Sequence, residues 1–90
     1  MESIKIFASQ INPNIDTIDL HTENSLYASM EKLDQKLYSL YQDEKEYCRI
    51  IFGIGTGKLK NETLKSLEKN PLIEHVEMDE NGGSCIVFFS

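Results

Sequence analysis

Polar and apolar positions divide the chain into segments of two distinct periods. From Ile15 to His21 they alternate, with Ile15, Thr17 and Asp19 on one side and Asp16, Ile18 and Leu20 on the other, which predicts a β-strand. Leu26, Met30, Leu33, Leu37 and Leu40 then recur at steps of four and three, the stripe of an amphipathic helix. Asn24 is the expected N-cap, with Thr22 as its rival, and Glu31, Lys32, Gln35 and Lys36 form the face turned to water. Tyr27, Tyr38 and Tyr41 fall at helical intervals and read as core or amphipathic packing rather than a base-stacking platform. After a polar connection at Asp43–Glu46, Tyr47–Phe52 has few polar interruptions, as expected of a parallel strand covered on both sides or nearly so. Gly53-Ile54-Gly55-Thr56-Gly57 leads into a second helical stripe at Leu59, Thr63 or Leu64, and Leu67, which stops at Asn70-Pro71 because proline cannot continue it. Leu72–Met78 and Ser84–Phe89 read as two further strands around a turn at 79–83. Ahead of all these, residues 1–14 read as an arm, with a weak edge-strand pattern in Ser3–Ile11 that Asn12-Pro13-Asn14 breaks.

The order β-α-β-α-β-β predicts an α+β fold: a two-layer sandwich with a mixed four-stranded sheet and two helices on one face. Strands joined by helices should be parallel, and the last two, joined by a short turn, antiparallel. Ninety residues, 40% of them hydrophobic and including four Phe and four Tyr, suit one core, placed here in residues 15–90. No apolar run nears the roughly 18–20 residues of a membrane span, so no transmembrane helix and no membrane partner are expected. The N-terminal stretch lacks the apolar core of a signal peptide. Cys48 and Cys85, 37 positions apart, have no metal-ligand spacing and read as reduced thiols in a cytoplasmic chain.

Charge sharpens the picture. The net charge of −6 argues against nucleic acid as a partner, but its distribution is uneven. Arg49, Lys58, Lys60, Lys65 and Lys69 stand against only Glu62 and Glu68, so residues 49–69 carry +3 and the remainder −9. A chain that repels phosphate over most of its surface can accept it at one place; the same lysines also suit a merely solvated helix face.

Two segments at strand C-termini, where open α/β sheets bind ligands, carry the candidate chemistry. Asp19 and His21 should point to one side of their strand, where a carboxylate can fix the imidazole tautomer and prepare a general acid or base; a surface pair that simply ends the strand has the same appearance. Gly53, Gly55 and Gly57 permit a tight turn with exposed N–H groups at a helix start, an anion-friendly arrangement to which Lys58 and Lys60 add charge. The spacing is neither a Walker loop nor a dinucleotide fingerprint, and a turn without a ligand fits it equally well.

Ile18-Asp19-Leu20-His21, then Phe52-Gly53-Ile54-Gly55-Thr56-Gly57-Lys58-Leu59-Lys60, then Gly83-Ser84-Cys85-Ile86-Val87 together resemble the Smr (small MutS-related) domain, found alone or at the C-terminus of MutS2-type proteins. The likeness runs from Ile15 to Phe89, with Ala28 and the Leu64–Leu67–Asn70-Pro71 helix end in keeping with it. It implies a fold similar to the C-terminal domain of a bacterial translation initiation factor and a nucleic-acid domain that cleaves phosphodiester bonds of DNA or RNA, single-stranded or branched substrates included. The family's Leu-Asp-x-His motif falls on Ile18–His21, which makes Asp19 and His21 the catalytic candidates. The glycine turn with Lys58 and Lys60 would then hold phosphate, and a divalent metal such as Mg²⁺ is an optional addition. The chain departs from the family pattern at Thr22, usually glycine, at Phe52, usually histidine, and at Gly83-Ser84-Cys85, usually Gly-x-Thr. Phe52 opens an alternative, a non-catalytic module that binds nucleic acid. The acidic remainder opens another, a module for a basic partner such as a ribosomal surface or the rest of a MutS2-like chain.

Overall fold

The computed structural model describes residues 14–90. The arm and the edge strand read from the residues ahead of Asn14 lie outside the described residues. The elements are β1 (Thr17–Asp19), α1 (Leu26–Gln42), β2 (Tyr47–Ile51), α2 (Lys58–Lys69), β3 (Ile73–Met78) and β4 (Ser84–Phe89). They form one four-stranded mixed sheet in the order β1-β2-β4-β3, so the expected β-α-β-α-β-β sandwich is present. β1 pairs parallel to β2, with Asp19 opposite Ile51, and β4 pairs antiparallel with both β2 and β3. The helix-joined strands β2 and β3 run in the same direction, but β4 inserts between them and takes the hydrogen bonds that a simple βαβ reading assigns to that pair.

One face of the sheet carries the core. Ile18, Leu20, Cys48, Ile50, Phe52, Cys85, Val87 and Phe89 pack beneath Leu33 and Leu37 of α1 and Leu67 of α2, with Met30, Leu40, Leu59 and Leu64 around them. The stripe read from the sequence is therefore the buried face of each helix. β2 differs from expectation. Its residues alternate between buried and half-buried, so helices cover one of its sides only, and its partner β4 is the strand buried throughout. Tyr27 and Tyr38 also differ: they are 76% and 56% exposed, while Tyr41 tilts onto Phe89 at a ring distance of 6.2 Å.

Local chemistry sets the boundaries. Ser25, one residue beyond the expected Asn24, caps α1 by accepting from the Ala28 N–H at 3.1 Å. After α1 the chain reverses through Glu44 at φ 62°, where Lys45 N donates to Leu40 O at 3.1 Å and ties up a terminal carbonyl. Pairing of β3 with β4 slips between Ile73 and His75, a bulge that bends the edge strand. Among the described residues no helix is long and apolar enough to cross a membrane.

Thr63 is fully buried on α2 and its Oγ1 has no hydrogen-bond partner, a desolvation cost without compensation. Thr63→Val should stabilise the fold by about 1 kcal/mol and raise the melting temperature by about 4–8 °C in a thermal scan. Burial, reinforced at Cys48 by Cys85 and at Cys85 by Asp79, pushes both thiols up to about 12 from 9.0. The folded chain keeps these protons where the unfolded chain begins to release them, so this contribution to stability is complete below pH 9 and declines as pH rises towards 12. At pH 8 a thiol reagent should label neither cysteine in the native chain and both after denaturation; urea midpoints should fall between pH 9 and 11.

Candidate functional site

The parallel register of β1 on β2 places the ends of both strands side by side. Leu20 N donates to Ile51 O at 2.8 Å, extending the ladder one step beyond β1. His21 then meets the glycine turn directly: a Cβ built on Gly53 would lie 3.2 Å from His21 Cβ. Gly53 sits at φ +80°, so glycine is required there both by backbone conformation and by the closeness of the histidine. The carboxylate–imidazole pair and the glycine turn, 32 residues apart in the chain, occupy one place.

Within the pair, Asp19 Oδ1 contacts His21 Nδ1 and also accepts from the His21 backbone N–H at 3.2 Å. A carboxylate accepts only, so in the neutral form of the ring this contact selects the tautomer with its proton on Nδ1 and the lone pair on Nε2. Both side chains remain reachable, at 51% exposure for His21 and 39% for Asp19. The end of β1 is fastened from α1. Ser29, buried, donates its hydroxyl to Leu20 O at 3.2 Å, and Lys32 Nζ donates to Asp19 O at 2.7 Å while pairing with Glu23 at 3.1 Å. Lys32 was expected to face water; it instead bends over the strand end. Ser29 and Lys32 are three apart on the margin of the apolar stripe, and that margin is the sequence signal that would have identified them.

The turn contributes unevenly. Phe52 N and Gly53 N both donate to Gly83 O, at 3.0 and 2.9 Å, so the Gly53 amide is already taken. Beyond it, Gly57 at φ 89° is the N-cap of α2 and supplies no side-chain cap; Lys58 N donates instead to Thr56 Oγ1 at 3.4 Å, and the amides of Leu59 and Lys60 are left without intrahelical acceptors. Gly55 has open space around it. Thr56, Lys58 and His21 line one depression of about 270 Å³ between the starts of the two helices. Lys60 leans the other way, its Nζ 3.8 Å from the Cβ position of Gly82 in the β3–β4 turn. Phe52 is 5% exposed and belongs to the core, so its ring faces the helices and takes no part in the surface around His21. His75, on the far edge strand, stacks on Phe88 and meets Glu77 at 2.5 Å, away from this surface. Among the described residues no three His, Cys, Asp or Glu side chains gather as a metal site would require.

A family model described as the Smr domain matches residues 18–89. Among solved structures, the crystal structure of the Smr domain of Thermus thermophilus MutS2 is similar to this chain with a TM-score of 0.76 at 20% identity. That likeness covers 84% of this chain and 99% of the other, and speaks to the fold. No curated protein matches the chain.

The contact between Gly53 and His21 is directly testable. Gly53→Ala forces a side chain into the left-handed region and against the histidine; it should cost about 1–2 kcal/mol in denaturant unfolding and shift the His21 ring resonances.

Proposed function

The chain belongs to the Smr domain family, a family of nucleic-acid-binding modules, and on that footing we propose that it binds DNA or RNA and cleaves the phosphodiester backbone. One observation carries the reading: a half-exposed imidazole, oriented by Asp19, stands against a glycine turn that opens into α2 with Lys58 at its start. In this reading His21 Nε2 takes the proton of the attacking oxygen as general base, Asp19 holds the ring and favours the imidazolium that forms, and the P–O bond to the leaving oxygen breaks as that oxygen takes up a proton from the imidazolium or from water. The amides of Leu59 and Lys60 in the first turn of α2, the helix dipole and the Lys58 side chain carry the charge that builds on the phosphate. Lys60 adds long-range attraction, in a chain whose other surfaces repel phosphate.

A second reading, binding without cleavage, is favoured by Phe52. The family likeness puts a histidine at that position, and here an interior phenyl ring stands there, able neither to transfer a proton nor to hydrogen-bond a phosphate.

Labelled single-stranded, duplex and branched oligonucleotides, scored for both shift and cleavage at two salt concentrations, separate the readings. Under the nuclease reading His21→Ala should lower the cleavage rate by about 10²–10⁴-fold while leaving affinity nearly intact. Absence of cleavage by the native chain with and without Mg²⁺ or Mn²⁺ would leave the binding reading. Under both, Lys58→Glu with Lys60→Glu should weaken binding and flatten its salt dependence; unchanged affinity would refute both.

A further inference from the structure

His21 borders a second, larger depression, on the side of the sheet that carries no helix. This one is about 750 Å³ and is lined also by Arg49, Asp79, Asn81 and Ser84. The strand register explains the grouping. Arg49 stands on β2 two residues before Ile51, which pairs with Asp19 on one side and Ser84 on the other; Asp79 follows directly on β3. Residues from all four strands thus converge on the same end of the open face.

Among the described residues Arg49 is the single full cation lining this depression, and its donors are under-used. Its Nε lies 3.5 Å from Asp79 Oδ2, yet the Nε–H is buried and makes no hydrogen bond. The same Asp79 oxygen accepts a short hydrogen bond from Ser84 Oγ, so the carboxylate is already engaged. Arginine carries five donors in a flat fork suited to phosphate oxygens. Here that fork is anchored on a strand, 31% exposed, and short of acceptors.

We propose that Arg49 binds a backbone phosphate of the nucleic acid, on the opposite side of His21 from Lys58. This rests on the function proposed above and assigns the path of the strand: from the start of α2, across His21, onto the helix-free face of the sheet. Lys58 shares one depression with His21 and Arg49 the other, so neighbouring phosphates are held on both flanks of the imidazole. The interior phenyl ring of Phe52 makes this second anchor more consequential, because the glycine motif itself contributes no side-chain donor there.

The test measures anisotropy of a labelled single-stranded oligonucleotide with the native chain, Arg49→Ala, Arg49→Lys and the Lys58→Glu, Lys60→Glu pair, at several salt concentrations. Arg49→Ala should weaken binding by about tenfold and reduce the salt slope by about one, whereas Arg49→Lys, keeping the charge, should restore the slope. If Arg49→Ala does not fold by circular dichroism, Arg49→Gln replaces it with the same expected loss. Native affinity and slope in Arg49→Ala or Arg49→Gln, alongside weakened binding by the lysine pair, would overturn the role of Arg49 and spare the general reading. Failure of the native chain to bind any oligonucleotide would overturn both.

Discussion

The parallel pairing of β1 with β2 is the constraint on which the site depends. It is only three residues long, but it fixes where two otherwise distant segments end. Because side chains alternate along a strand, the same register sends Ile18 and Leu20 into the core and leaves Asp19 and His21 on the accessible side. A slip by one residue would bury the carboxylate and the imidazole and expose two core residues. Two bonds from α1, by Ser29 and Lys32, hold the short strand's end in that register. Scaffold and candidate chemistry therefore share one set of contacts.

Much of this was legible in the chain. The near-3.6 period identified both described helices and the period of two identified β1, because those elements bury one face, while β2 and β4 were legible as short apolar runs. The Asp19–His21 pair and the glycine turn could be located because strand ends and helix starts leave sequence traces. What could not be read was long-range. No local pattern says that β4 enters between β2 and β3; that follows from which faces must be buried together. β2 looked covered on both sides because Tyr47 and Ile51 are apolar, yet both lie on its half-buried face. Tyr27 and Tyr38 matched helical spacing and still point outward, because spacing locates a face without saying what packs against it. Arg49 counted towards local charge, and only the register showed which residues surround it.

Charge and shape work together in this molecule. Acidic residues dominate outside residues 49–69, whereas Lys58 shares one depression with His21 and Arg49 the other. Under the proposed function, cations on both flanks of His21 would favour one path for a phosphate chain and make its approach sensitive to ionic strength. Phe52 marks the trade within the site: the ring strengthens the core beneath the turn and removes a polar group from it.

The sheet's outer margins have a consequence of their own. Its described edges are β1, three residues long, and β3, interrupted by a bulge and carrying Glu74 and Glu77. Neither presents the long, straight, uncharged row of amides and carbonyls on which a foreign strand could template. Buried apolar strands such as β4 are the usual seeds of cross-β growth, and here that strand is kept in the interior, flanked by neighbours poorly suited to recruit another copy. The architecture that displays an exposed histidine thus also guards against fibrillar self-association.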